Sequence, residues 1–242
     1  MRRTNPQDHQ VVILAAGLGT RLGRDLPKPL TPLHDGRSIL RQQVDHLRVG
    51  LGDDTHVTVV VGYQAEVVMQ AAPDLVFAYN PDYARTNTSR SLLRGLLSSR
   101  EGGVLWLNGD VVFDPGVMTV VRPWLEADRS FVCVNTERVA EEEVKYTVDE
   151  TGHIAALSKT VVGGLGEAVG INYVSAADKA VLVEHLRWCD DQDYFERGME
   201  TAITGSGLRF APVDITAYGA VEVDVPEDLV RADLLHVGDV LA

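Results

Sequence analysis

The stretch VVILAAGLGTRLGRDLPKPL (Val11 to Leu30) joins an apolar run to two closely spaced glycines and then to two cations, Arg21 and Lys28. Glycine-rich turns can wrap anionic phosphate oxygens with backbone N–H groups. A dinucleotide fingerprint needs G-x-G-x-x-G and an acid at the end of the next strand. Here Leu22 stands where the third glycine belongs, and the next strand ends in Gly62-Tyr63. A P-loop needs G-K-[ST], but Gly23 is followed by Arg24-Asp25 and Lys28 by proline. Neither pattern fits. By itself the loop also reads as a tight strand-to-helix turn with ordinary surface cations.

Two acids occupy comparable places farther along. Asp110, in LWLNGDVVF, follows an apolar strand at its carboxyl end, where open α/β sheets bind ligands. Asp224, in VEVDVPEDL, ends another strand before a proline-started helix. A polar strand cap and an ordinary loop acid are the plain alternatives for these two.

LAAGLGTRL with PKPL following it resembles the sugar-phosphate and alcohol-phosphate nucleotidyltransferases, and the resemblance covers nearly the whole chain. It implies transfer of a nucleoside monophosphate from an NTP to a phosphate or phosphonate oxygen, with release of pyrophosphate. Under that reading Leu14, Ala15, Ala16, Gly17, Gly19, Thr20 and Gly109 surround the nucleotide. Arg21 grips the β- and γ-phosphates through its planar fork, and Lys28 places a compact charge near the α-phosphate. Asp110 and Asp224 match the superfamily's paired acids and would hold Mg²⁺, the expected cofactor. Phosphoryl-type transfer is mostly positioning and charge neutralisation. The acceptor phosphate is already an anion, so no general base is required. None of the seven histidines has paired spacing. Asp114, Glu222, Glu227 and Asp228 read as solvated or helix-capping acids.

YNPDYARTNTSRSLLRGL (Tyr79 to Leu96) lacks the Gln- and Gly-rich base-binding segment of most sugar nucleotidyltransferases. It resembles the bacterial choline-phosphate cytidylyltransferases and their phosphonate- and inositol-phosphate-using relatives, which makes CTP the expected NTP. Asn87 would read a cytosine edge, Ser91 would support it, and Tyr63 would line the nucleoside pocket. Asn87 and Ser91 also suit the start of the following helix. For the acceptor, the resemblance points to Tyr146 onward, Lys159, Glu167 and the Gly170-Ile171-Asn172 strand. Tyr194 and Glu196, in DQDYFERGMETAI, would close the pocket. Choline would want an aromatic cage. Where a cage tryptophan is expected the chain has Val144-Lys145, and a lysine suits a small anionic phosphate or phosphonate. Trp106 reads as core and Trp188 as helix packing. Two rivals stand beside this reading: a uridylyl or other nucleotidyltransferase acting on a sugar 1-phosphate, and a non-catalytic nucleotide-binding regulator.

The elements that must hold these residues alternate. Val11–Gly17, His56–Tyr63, LVFAYN and Gly103–Asp110 read as buried strands, with Ser38–Leu51, EVVMQAA and Ser89–Arg100 helical between them. YTVDETGHIAALSKT reads as a hairpin, followed by a glycine-rich loop, a strand and the helix AADKAVLVEHLRWC. The expected class is α/β. The resemblance implies a Rossmann-like, three-layer, GT-A-like nucleotidyltransferase fold, with a mixed, mostly parallel sheet and a small β-rich acceptor-side insertion. One domain is expected over residues 1–242, with a nucleotide-binding half at about 11–135 and an acceptor-binding half at about 136–242.

Composition narrows the partners. A formal net charge of −13 argues against a nucleic-acid surface but not against a nucleotide that arrives with its metal. No apolar run is long enough for a transmembrane helix, so no membrane partner is expected. The first residues, MRRTNPQDHQ, read as a lead-in and not as a signal peptide. Cys133 and Cys189 lack metal-ligand spacing, and a reduced, cytoplasmic chain is the expectation. A homodimer is left open.

Overall fold

The computed structural model describes residues 9–19, 26–137 and 142–237. Residues 1–8 of the expected lead-in, and Thr20 and Arg21, lie outside the described residues, and Gln10 at the lead-in's end already belongs to the first strand.

β1 (Gln10–Ala15) is buried on both faces. Val11, Ile13 and Ala15 enter one core, and Val12 and Leu14 enter the other. A strand covered on both faces reads as an unbroken apolar run, which is why this one was legible. β2 (His56–Val61), β3 (Val76–Tyr79) and β4 (Val104–Asn108) lie parallel to it, with β1 between β2 and β4. Beyond β4 come β9 (Glu167–Val174), β6 (Phe131–Asn135) and β10 (Ala211–Asp214), giving the order β10-β6-β9-β4-β1-β2-β3. β9 is antiparallel to both β4 and β6. Its reversed direction brings its first residues, not its last, to the edge where β1 and β4 end.

Helices cover both faces. α1 (Ile39–Leu51), α2 (Ala65–Ala71) and α4 (Gly116–Glu126) pack on one face, and α3 (Thr88–Ser98), α5 (Lys179–Trp188) and α6 (Phe195–Ser206) on the other. This is the three-layer α/β architecture that was expected. Ser38 Oγ caps α1 by accepting from Arg41 N–H at 3.2 Å, and a cap of this kind contributes about 1 kcal/mol. The hairpin of β7 (Lys145–Val148) and β8 (Ile154–Ser158) hangs from the start of β9 through the Lys145–Glu167 pairing. Two short strands, β5 (Val111–Phe113) and β11 (Ala220–Glu222), form a separate antiparallel ribbon. α7 (Pro226–Val237) closes over that ribbon, its Ala232 buried against Val112, Val221 and Val223.

From β1 the chain builds β2 and β3 on one side and reaches β4 on the other. Such a switch opens a crevice outside the carboxyl ends of the strands. The candidate site lies there.

Candidate active site

The crevice is a cavity of about 350 Å³. One wall is made of turns. Gly17, Leu18 and Gly19 follow β1, and Asn108 ends β4 with Gly109 and Asp110 after it. The two turns are tied together by Gly109 N–H donating to Leu14 O at 2.9 Å. Gly19 has φ +59°, and a Cβ there would lie 3.0 Å from Lys28 Cβ, so only glycine lets the loop fold down onto Lys28. Lys28 opens a short 3-10 turn, Lys28–Leu30, directly after Pro27.

Lys28 joins the two acids. Its Nζ donates to Asp110 Oδ2 at 2.6 Å and also to Asp224 Oδ1. Burial works against its charge, but the two carboxylates outweigh burial and hold the ammonium above the ordinary lysine pKa. Asp224 follows β11, and its backbone is set by Asp228. Asp228 Oδ2 accepts from Asp224 N–H at 2.8 Å and Val225 N–H at 2.9 Å. Asp228 is thus a capping acid, as expected, and so is Asp114, which accepts from Gly116 N–H at 2.6 Å.

Glu222 corrects the expectation that it is solvated or capping. It lines the cavity, and its Oε1 accepts from Asn108 Nδ2 at 3.0 Å. Burial first, then the charges of Asp110 and Glu143, push its carboxyl well above the usual range. Gly170 makes room for this pair. Its φ is +71°, and a Cβ there would meet Asn108 Nδ2 and Glu222 Oε1, both at 2.8 Å. Strand periodicity placed Glu222 nowhere in particular, because β11 pairs only with the three residues after Asp110.

The acids fit a small divalent cation. Among the described residues Asp110 Oδ1 is buried with no hydrogen-bond partner, beside a second carboxylate. Among the described residues no cluster of three or more His, Cys, Asp or Glu side chains converges as a metal site. A two-carboxylate, all-oxygen set suits Mg²⁺, which completes its shell with water and substrate phosphates.

The opposite wall is made of side chains. α3 and α6 start together at this wall. Asn87 N–H donates to Asp191 O at 2.7 Å, Ser89 N–H to Asp193 O at 3.3 Å, and Phe195 N–H to Thr88 Oγ1 at 3.1 Å. Asn87 lines the cavity and also caps α3, its Oδ1 accepting from Thr88 N–H at 2.8 Å. Tyr194 and Glu196 face the cavity from the start of α6, with Glu143, Val144 and Lys159 arriving from the hairpin side. Lys159 Nζ sits 5.4 Å from the centre of the Tyr194 ring, a cation–π distance. Glu196 is buried, its Oε2 has no hydrogen-bond partner among the described residues, and burial pushes its carboxyl up to about 7.

The cavity gathers Leu14, Ala15, Gly17, Gly19, Lys28, Asn87, Gly109, Asp110, Lys159, Tyr194, Glu196 and Asp224 from the sequence-based candidates. Others fall elsewhere. Ala16 is core, its carbonyl accepting from Tyr63 N–H at 3.1 Å; the Tyr63 hydroxyl accepts from Gln64 Nε2 at 3.0 Å. Ser91 is buried under α3, where it accepts from Asn80 Nδ2 at 3.3 Å. Asn172 is buried in mid-strand between Trp106 and Val132, two residues deeper than Gly170. Glu167 begins β9 opposite Asn135 and Lys145, off the cavity wall. On β7, strand alternation turns Tyr146 and Val148 to the α3–α5–α6 core, against which Val144, just before the strand, also packs. Lys145 therefore takes the other face, its Cβ packed toward Gly164, and the cavity's second lysine is Lys159 instead. Trp106 is core as expected, whereas Trp188 is largely exposed, with an edge contact to His185 at 5.1 Å. Sequence reasoning missed Asn108, Glu143, Thr88 and Phe195 on the cavity wall. The polar residue just before Asp110 was the available signal for Asn108.

A family model for the MobA-like NTP transferase domain matches residues 11–170, which carry the glycine turn, Lys28 and Asp110. The chain belongs to the MobA-like NTP transferase family. Its sequence is 29% identical over 93% of its length to a CMP-5'-(3-aminopropyl)phosphonate synthase from Streptomyces rubellomurinus, and it spans 38% of that protein. It is 32% identical, over 53% of its length and 60% of the other's, to a UTP–glucose-1-phosphate uridylyltransferase from Haloferax volcanii. In fold this NTP transferase domain is similar to the inositol-1-phosphate CTP transferase from T. maritima, with TM-score 0.77, 18% identity and 95% of each chain covered. It is similar also to the CTP:phosphocholine cytidylyltransferase of Streptococcus pneumoniae, with TM-score 0.75, 16% identity, and 94% and 99% covered. Among the described residues no helix is long and apolar enough to cross a membrane.

Proposed function

We propose that this domain transfers CMP from CTP to a small acceptor bearing a phosphate or phosphonate, with Mg²⁺ and with release of pyrophosphate. The observation that carries the reading is Lys28 held between Asp110 and Asp224 beside the Gly17–Gly19 turn. The turn's backbone cradles the triphosphate, joined by Arg21. Lys28 neutralises charge developing at the α-phosphate, where a positioned cation stabilises the transition state more than the ground state. Asp110 and Asp224 would hold the metal, which when bound supplies charge neutralisation and alignment for in-line attack. Asn87 presents a paired donor and acceptor to the base.

The halves divide the work, with residues of about 11–135 receiving the nucleotide and residues of about 136–242 the acceptor. The acceptor side carries three carboxyl groups, Glu143, Glu196 and Glu222, against Lys159, and an ammonium placed beside them would favour their charged form. That balance favours an acceptor whose phosphonate end meets the cations and whose other end carries an ammonium. An aminoalkyl phosphonate fits this description, in keeping with the name of the Streptomyces relative.

The test is pyrophosphate release over the four NTPs against a panel of aminoalkyl phosphonates, phosphocholine, inositol 1-phosphate and glucose 1-phosphate. CTP with an aminoalkyl phosphonate is the expected best pair. Preference for UTP with glucose 1-phosphate would overturn it in favour of a sugar nucleotidyltransferase. CTP binding without turnover on any acceptor would favour a non-catalytic regulator.

A further inference from the structure

α1 turns three buried polar side chains, Gln42, Gln43 and His46, toward the segment that follows β4. A buried amide is costly unless its N–H groups find acceptors. Gln43 Nε2 donates to Asn108 O at 2.8 Å and to Val111 O at 2.8 Å. Those two carbonyls bracket Gly109-Asp110, so one side chain clamps both flanks of the turn that presents Asp110. One helical turn on, His46 Nδ1 lies 3.0 Å from Phe113 O, beyond the turn. The same segment runs into β5, whose partner β11 leads to Asp224; Val111 pairs with Glu222, and Val223 N–H donates to Asp110 O at 3.0 Å. A shift of Val111 would therefore move both acids. Gln43 is not among the residues lining the cavity, its amide bonds go to backbone carbonyls, and no sequence motif includes it.

We infer that Gln43 is a positioning residue, which sets the spacing of Asp110 and Asp224 by clamping the Asn108–Val111 backbone from α1. The inference rests on the proposed role of these acids as the metal-holding pair. A side chain that orients a metal-binding group typically changes metal affinity or activity by roughly 10- to 100-fold when lost.

The test uses the full chain with Gln43→Met, which keeps length and loses both donors, and with Gln43→Asn, whose shorter stem cannot span both carbonyls. His46→Leu is the control, removing a buried polar group from the same helix face but away from the turn. Mn²⁺ affinity by electron paramagnetic resonance and steady-state kinetics with CTP are read together. Gln43→Met is expected to weaken Mn²⁺ binding and lower kcat, each by roughly 10- to 100-fold. The KM for CTP should change less than about threefold, since a change confined to kcat marks an interaction made in the transition state. His46→Leu should lower Tm and leave both unchanged. Wild-type Mn²⁺ affinity and kcat in folded Gln43→Met would overturn the inference, as would equal losses in His46→Leu. If Gln43→Met does not fold, Gln43→Asn is judged by the same readouts. If the wild-type chain turns over no NTP, the proposed function falls, and Mn²⁺ binding alone decides the role of Gln43.

Discussion

Along one wall of the cavity, the groups that face inward are the turns at the ends of β1 and β4, with the Asp110 side chain, plus Lys28 from the short turn after Pro27. Along the opposite wall they are side chains, Asn87, Glu143, Lys159, Tyr194 and Glu196, drawn from several segments of the chain. The first wall is held by backbone hydrogen bonds between neighbouring strand ends, such as Gly109 N–H to Leu14 O. The second is held by the docking of a hairpin on β9 and of two helix starts on each other. A backbone wall tolerates few substitutions and suits a constant ligand part such as a triphosphate. A side-chain wall can be rewritten residue by residue, which suits a variable acceptor.

If the comparison holds, the largest losses come from the first wall. Lys28→Ala and Asp110→Ala should each lower kcat by at least ~10²-fold while circular dichroism stays native, because each removes charge stabilisation at the reacting phosphate. Near-wild-type kcat in either would remove that residue from the proposed chemistry. Removing divalent cations with a chelator should abolish turnover, and Mg²⁺ should restore it; activity that survives chelation would break the metal assignment to Asp110 and Asp224.

Effects on the second wall should fall on the acceptor. Glu196→Gln is expected to raise the acceptor KM by about tenfold, as for a lost charge-assisted contact of 1–2 kcal/mol, with the CTP KM unchanged. In the wild type the acceptor KM should rise as pH falls through about 7, as Glu196 takes up its proton. Lys159, Glu200 and Glu222 are the charged groups coupled to it. The sign for stability is opposite. The folded state binds this proton more tightly than the unfolded chain, so stability is lost as pH rises from about 4.5 to about 7. Glu196→Gln should flatten that limb and raise Tm above pH 7, a gain on the order of 1 kcal/mol. Equal Tm values at pH 8 would show that the carboxyl is not strained.

The smallest effects separate the two lysines. Lys159→Ala should raise the acceptor KM severalfold, and Lys145→Ala should change it by less than about twofold, since Lys145 does not reach the cavity. The reverse order would restore the sequence-based assignment to Lys145.

The alternating elements were legible because both layers of helices bury the sheet, and burial on two faces writes continuous apolar runs into β1, β2 and β4. The glycine turn, Lys28, Asp110 and Asp224 were legible because each sits at an element end with its own local signal, a glycine, a proline or a strand terminus. Ser91 and Asn172 were misplaced for one reason. Sequence proximity to Asn87 and Gly170 does not say which way a side chain points, and both turn into the core. Lys145 was misplaced because the face of a short hairpin strand depends on its register, and one residue of register exchanges the faces.

The chain by itself thus determined the α/β alternation and the turns that carry backbone chemistry, because hydrophobic period and glycine geometry are local properties. Only the tertiary structure decided that Glu222 is buried beside Asn108, that Lys159 and not Lys145 is the cavity's second lysine, and that Gln43 reaches across from α1 to the Asp110 turn. Those facts depend on the reversed β9, the β5–β11 ribbon and the seating of α1. Each joins residues separated by tens of positions or more, and no local pattern records such a meeting.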